Sequence, residues 1–432
     1  MYIQRSVYPQ LLKERTNHKL TVLLGSRRSG KTTLMRMLQD HYQKAGELTA
    51  FLDLDLVANL ENFQSLDHFL RFIKLRDIKQ TDRAVFFIDE FQHIDSATKI
   101  LKNLYDHFPN FKFYISGSSS LQIIDKLDES LAGRKRIYHI YPLDFLEFLQ
   151  FKQRQDLVDQ LGILADFDQI DNSVLAVFEP LLEEYMVFGG YPEVVLAPTK
   201  EDKIREIRDI VDSYVRLDIQ AFLGVRNVLG YHKLLEVLAL LAGQQMNVSR
   251  LTQETGLNRQ TVESYLDILE HTFIMGRLRP YLANLHKQMV KSPKVYFLDA
   301  GIRNYLINNF QPLAKRTDAG SLAENFVYSE IIKQDILLAR IYYYRTRTKT
   351  EVDFIVQTGD QVLPIEVKWQ KYSTPDYLRN LIAFVDSHSP QQVMVLNRNL
   401  KINSEHQGVA WDYLPLFLWP VFLKKFQADL TD

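Results

Sequence analysis

The chain has no cysteine among its 432 residues. That excludes disulfides, thiolate zinc sites and cysteine nucleophiles, and it fits a reducing compartment, so a cytoplasmic location is expected. No apolar run approaches a membrane span, and the opening residues MYIQRSVYPQ have no apolar signal core, so no membrane role is expected. Excess charge is missing too, with 52 Lys and Arg against 53 Asp and Glu. A near-neutral total neither requires nor excludes nucleic acid, because a basic face can sit inside it. Internal repeats and low-complexity linkers are absent. With 46% apolar and 12% aromatic residues the chain can bury substantial cores. Its length predicts roughly two to four domains.

What is present starts at Leu20. An apolar strand (20–24) runs into GSRRSGKT (Gly25–Thr32), and a helical pattern follows from Thr33. This strand–loop–helix order fits G-x-x-x-x-G-K-[ST], a backbone cradle for phosphates reinforced by a helix N-terminus. The expected ligand is ATP with Mg²⁺. Gly25, Ser26, Arg27, Arg28, Ser29, Gly30, Lys31, Thr32 and Thr33 would line it, with Lys31 on the β and γ phosphates and Thr32 on the metal. A second apolar run, AVFFI (Ala84–Ile88), delivers Asp89 and Glu90 at its end. In this pattern Asp89 serves the Mg²⁺ and Glu90 polarises the attacking water. The run Phe111–Ile115 ends in SGSSS (Ser116–Ser120). A polar residue there, on a strand inserted between the other two, would sense the γ-phosphate. Ser118 is the candidate, with Ser116 and Ser119 close behind. Arg134, after a glycine, is either an arginine finger for a neighbouring subunit or a solvated charge beside Lys135 and Arg136. Strands near 20–24, 50–54, 84–88, 111–115 and 136–141 predict a parallel sheet with helices on both faces.

From about Pro142 to Leu229 the pattern is helical, broken by FGGYPEVV (Phe188–Val195). That break reads as a helix–helix connection, or as a loop packing on the nucleotide domain. Further on, helices over Val248–Thr255 and from Arg259 to about Thr272 have helix-turn-helix spacing. In a DNA reader Arg259, Gln260 and Ser264 would reach bases. The following segment has Arg277, Arg279, Lys287, Lys291 and Lys294 and no acid, as in a basic wing on phosphates. The alternative is a winged helix that packs only on protein.

Near the C-terminus, EVDFIVQTGDQVLPIEVKW folds on paper into a hairpin with Gly359 and Asp360 at a type II′ turn. Asp353 then faces Glu366, Glu351 faces Lys368, and Asp353, Glu366 and Lys368 share one face. Facing carboxylates repel unless a cation sits between them or one is protonated, and a divalent metal on Asp353 and Glu366 is the natural solution. Glu324, on a preceding helix, would be the third acid. This is the active-site pattern of restriction-like nucleases. The alternatives are a solvated Glu–Lys face or a nuclease fold kept only for binding.

The order GSRRSGKTT, FFIDEFQ, SGSSS, LAGR, PLDFLEFL, FGGYPEVV, KVYFLDAG, AENFVYSE and EVDFIV…IEVK resembles a widespread bacterial and archaeal AAA-type (AAA+) ATPase family. The resemblance spans nearly the whole chain. It implies a multidomain α/β protein: a P-loop ATPase core (1–148), a helical lid or linker (149–230), a winged helix-turn-helix (231–310) and a restriction-endonuclease-like domain (311–432). It also implies ATP hydrolysis through Lys31, Thr32, Asp89 and Glu90, nuclease-like positions at Glu324, Asp353, Glu366 and Lys368, and a homo-oligomer. The leading expectation is a DNA-dependent motor or switch. The competing ones are a switch controlling a protein partner, with a silent nuclease-like domain, and an ATP-regulated metal-dependent nuclease.

Overall fold

Five segments become five parallel strands in a computed structural model that describes residues 3–93, 97–118, 131–167, 169–213, 227–282, 291–336 and 339–429. These are β1 (Leu20–Gly25), β2 (Leu48–Asp53), β3 (Ala84–Asp89), β4 (Phe111–Ser118) and β5 (Lys135–His139), in the order β2-β3-β4-β1-β5. Side chains alternate across the sheet. Val22, Leu24, Phe86 and Ile88 pack on one face with Phe69 and Phe72 of helix α2 (Leu66–Lys74) and Leu101 and Leu104 of α3 (Ala97–His107). Leu23, Val85, Phe87 and Tyr114 pack on the other with Leu34, Met35 and Leu38 of α1 (Lys31–Lys44). A strand buried on both faces must be apolar nearly throughout, which is why β1 and β3, buried at every position, are continuous runs, while β2 and β5 are only partly buried. Each such side chain contributes about 1.5–3 kcal/mol by leaving water.

The chain divides into two compact units, the first built on the residues up to Pro142 and the second on most of those from Leu143 onward. The second unit opens with α4 (Phe145–Phe151), and further on α5 (Asn172–Phe188) and α6 (Pro192–Leu196) are joined through Gly189 and Gly190. Gly189 has φ +81° and ψ −170°, which a side chain rarely adopts, and a Cβ there would lie 2.1 Å from Asp299 Oδ1. The Gly190 N–H donates to Asp299 Oδ2 at 2.7 Å. The same carboxylate accepts from Ile302 N–H at 3.1 Å and so caps α10 (Ala300–Leu306). FGGYPEVV and FLDAG are therefore two halves of one contact inside this unit, as expected of a helix–helix connection.

Helix α7 (Val228–Leu240) precedes the expected pair, α8 (Val248–Thr255) and α9 (Arg259–His271). Val262, Leu266 and Leu269 are buried on one stripe of α9, and Tyr265 meets Tyr231 of α7 edge-on at 5.1 Å. The hairpin that follows, β6 (Met275–Pro280) and β7 (Lys294–Phe297), is antiparallel. It continues into the C-terminal strands as one sheet, β12-β13-β11-β10-β9-β8-β6-β7. The remaining elements are α11 (Ala319–Lys333), β8 (Ala339–Arg345), β9 (Glu351–Thr358), β10 (Gln361–Val367), α12 (Arg379–His388), β11 (Gln392–Asn397), β12 (Ile402–His406) and β13 (Val409–Pro415). Leu381 and Phe384 of α12 cover Val393, Val395, Trp411 and Tyr413.

Candidate nucleotide-binding and carboxylate sites

The strand order puts β4 between β1 and β3, so three strand ends converge on the loop Gly25–Gly30. Left-handed backbone at Arg28 (φ +58°) and Gly30 (φ +96°) curls the loop into a concavity of inward N–H groups. Gly25 is needed for a second reason, since a Cβ there would lie 2.0 Å from the Ile140 carbonyl oxygen. Lys31 is buried and donates to the carbonyls of Gly25 and Ser26, both at 2.9 Å. The hydroxyls of Ser26 and Ser29 are buried without hydrogen-bond partners, as a cradle awaiting an anion requires. Thr32 and Thr33 are exposed at the helix start, while Arg27 is half-buried.

Asp89 is 2% exposed, and burial raises its carboxyl above the ordinary range, with hydrogen bonds from Ser116 and Thr32 opposing the shift. Thr32 and Asp89, the expected metal pair, are thus adjacent. Ser116 Oγ donates to Asp89 Oδ1 and accepts from the Glu90 N–H at 3.4 Å. Glu90 is half-buried, with φ +54°, a strained value for a residue with a side chain. The serine that touches these acids is therefore Ser116. Ser118 ends β4 with its backbone opposite Gly25. Its side chain, like Ser119 and Ser120, lies outside the described residues.

Arg134 precedes β5 at the other end of the sheet, where its carbonyl accepts from Leu20 N–H at 2.9 Å. The six residues of β1 separate it from its own phosphate loop by about 17–20 Å. Its Nε donates to Asp106 at 3.1 Å. Arg5 was not foreseen. It is buried and donates to the Ser29 carbonyl and the Tyr141 carbonyl, both at 2.9 Å, tying the phosphate loop to the chain after β5. An arginine before the first strand carries no motif by which to find it.

In the second unit the hairpin register is as expected, with Ile355 opposite Pro364 and Phe354 opposite Ile365. Gly359 at the turn has φ +58°. Pro364 stands just before β11 joins at Ile365, where its missing N–H costs no bond on that side. The strands part at Asp353, whose Oδ2 accepts from Val367 N–H at 2.9 Å. Glu366 and Lys368 pair at 2.5 Å. The other expected pair is not formed: Glu351 meets Lys294 at 2.6 Å and Arg345 at 3.1 Å. Lys294, 2% exposed, also lies 3.6 Å from Glu324 and 3.9 Å from Asp353. Tyr296 donates to Glu324 at 2.9 Å. Burial, followed by mutual repulsion with Asp353, pushes Glu324 and Glu366 up, and burial pushes Asp353 up. Lys368 and Asn380 favour the charged form of Glu366 and oppose part of that rise, while Glu366 Oε2 is buried with no hydrogen-bond partner.

Two ammonium groups of the chain itself thus stand beside these acids, Lys294 against Glu324, Glu351 and Asp353, and Lys368 against Glu366. Among the described residues, no group of three or more His, Asp and Glu side chains is placed to hold a metal. Lys294 stands beside Asp353 and Lys368 beside Glu366, the two acids expected to hold a divalent ion.

The basic wing also differs from expectation. Arg277 is spent on Glu270 and Asp267, Lys294 is buried among the acids, and Lys287 lies outside the described residues. Arg279 and Lys291 are exposed and line a pocket of ≈ 480 Å³ with Ser249 and Arg259. Arg259 and Gln260 are exposed on α9, Ser264 is half-buried, and Arg259 pairs with Glu263 at 2.9 Å.

Residues 17–149 match the family described as the AAA domain. This part of the chain has the fold of a P-loop nucleotide-binding domain and is similar to AAA-type ATPase domains. Residues 179–313 and 319–417 match two domains of unknown function (DUF8612 and DUF4143). An uncharacterized protein of Haemophilus influenzae is 27% identical over 403 residues, covering 90% of this chain and 92% of the relative. The uncharacterized protein MJ1544 of Methanocaldococcus jannaschii is 25% identical over 346 residues, covering 78% of this chain and 72% of the relative. Among solved structures, Cdc6p from Pyrobaculum aerophilum is similar at a TM-score of 0.31 and 14% identity, over 72% of this chain and 97% of that one. A likeness that weak carries nothing further. Among the described residues no helix is long and apolar enough to cross a membrane.

Proposed function

We propose that the protein binds ATP with Mg²⁺ at Gly25–Thr33, hydrolyses it, and uses the cycle to act on DNA as a motor or switch. The observation that carries this reading is the meeting of Lys31, Thr32, Asp89 and Ser116 at the ends of three parallel strands, with Glu90 beside them. Lys31 is positioned to exchange its loop carbonyls for phosphate oxygens. Mg²⁺, held by Thr32 and Asp89, would neutralise charge between the β and γ phosphates. Glu90 takes the proton side of the attacking water, and Ser116 fixes Asp89 and the Glu90 backbone together. Arg134, out of reach of its own loop, would complete the site of a neighbouring copy in a homo-oligomer.

The DNA part rests on α8 and α9 and on the exposed Arg259, Gln260, Arg279 and Lys291 around one pocket. In this reading the modules are the ATPase core (1–148), lid (149–230), winged helix (231–310) and restriction-endonuclease-like domain (311–432). A labelled duplex should bind the full chain and lose affinity steeply between about 50 and 200 mM salt. Arg259→Ala with Gln260→Ala should weaken it further. No binding at the lower salt would end the DNA reading.

A second reading has one observation in its favour. Lys294 balances the acids of the nuclease-like set, which suits a catalytically silent domain that docks a protein partner under nucleotide control. It expects slow turnover indifferent to DNA, and a stable protein complex that changes between ATP and ADP.

A further inference from the structure

The acid cluster of the second unit contains a lysine where charge balance calls for a metal. We propose that Lys294 is a tethered counter-cation that takes the place of a divalent ion among Glu324, Glu351 and Asp353, and that removing its ammonium group turns the cluster into a divalent-cation site. The inference goes beyond the proposed ATPase and does not depend on it.

Four observations carry it. First, one nitrogen faces carboxylate oxygens from two elements: 2.6 Å to Glu351 and 3.9 Å to Asp353 on β9, and 3.6 Å to Glu324 on α11. A contraction of roughly an ångström on average would bring those oxygens to the 2.0–2.6 Å range of hard divalent cations. Second, this lysine is held in place. It opens the fully buried strand β7, bridges to Gln245, and lies 5.7 Å from the centre of the Tyr343 ring. Third, charge is already nearly balanced. Lys294, Lys368 and Arg345 stand against Glu324, Glu351, Asp353 and Glu366, so an incoming divalent ion would meet a fixed ammonium. Fourth, Glu366, 4% exposed, keeps one buried oxygen, Oε2, with no hydrogen bond, which leaves coordinating capacity unused beside Asp353.

The test uses the full chain without nucleotide, so that the phosphate loop contributes no metal, and Mn²⁺ as the probe. Binding is read by calorimetry and by loss of the free Mn²⁺ resonance signal. Wild type should show no Mn²⁺ that Asp353→Asn abolishes. Lys294→Ala should take up one equivalent at least tenfold more tightly than wild type, and Lys294→Ala with Asp353→Asn should lose it. Lys294→Met keeps most of the side-chain volume and provides the same comparison if the alanine variant does not fold. Wild-type protein that binds one Mn²⁺ through Asp353 would overturn the proposal. So would a folded Lys294→Met chain with no gain in Mn²⁺ affinity.

Discussion

Glu330 offers a stability test that needs no ligand. It is fully buried on α11, where its Oε2 accepts from Phe145 N–H at 3.2 Å and its Oε1 lies 2.8 Å from the Tyr185 hydroxyl. Burial pushes its carboxyl up from 4.5 to about 7, with Lys333 only partly opposing. A raised pKa means that the folded state holds its proton more tightly than the unfolded chain. Stability is therefore greatest below the unfolded value and falls as pH rises toward the folded value. Between pH 5 and pH 8 the linkage amounts to about 2–3 kcal/mol lost from the second unit. Glu330→Gln keeps the shape and removes the titration. The amide can still donate to the Tyr185 oxygen, which is free to give its own proton to the Leu143 carbonyl 2.7 Å away. Urea denaturation of wild type and Glu330→Gln at the two pH values measures the difference directly. The variant should gain about 2–3 kcal/mol on wild type from pH 5 to pH 8. A pH-independent difference would refute the idea that Glu330 is held as a neutral acid.

Gly189→Ala should destabilise the second unit by roughly 2–4 kcal/mol, because a glycine-only backbone and the Asp299 carboxylate both oppose a Cβ. A thermal midpoint within a degree of wild type would show that the loop does not need glycine. Arg5→Met should weaken ATP-analogue binding on the order of tenfold, by releasing the Ser29 carbonyl and loosening the phosphate loop. Unchanged affinity by fluorescence titration would remove Arg5 from the site. Lys31→Ala should abolish analogue binding in the same titration while leaving the melting curve of the nucleotide-free chain close to wild type; retained affinity would show that the ligand sits elsewhere.

The first unit was legible because its central strands β1 and β3 are buried on both faces. A run such as AVFFI has no other stable place, and the acids at its end mark which edge of the sheet carries chemistry. β1, β3 and β4 start where the apolar runs start. The loop–helix junction at Gly30 and Lys31 and the register of the β9–β10 hairpin were equally readable, since local turn chemistry fixes both. Residues whose role depends on distant neighbours were not. Lys294 sits among exposed basic residues in the sequence and reads as one more wing cation. Only β7 lying against β6, in a sheet shared with β8 and β9, brings it to Glu324 and Glu351. Arg277 was misread for the same reason: its partners Glu270 and Asp267 lie on the helix before it, and folding back is what pairs them. A serine loop does not reveal which hydroxyl turns toward Asp89, so Ser116 stood beside Ser118 and Ser119 as a candidate, and only the fold brings its hydroxyl to that acid.

The most direct measurement is steady-state ATP hydrolysis with single-stranded, duplex and branched DNA, beside Lys31→Ala. At least one DNA form should raise turnover severalfold in wild type at low salt and leave the variant inactive. A low rate in wild type that no DNA changes would contradict DNA-coupled hydrolysis and favour a switch that answers to a protein.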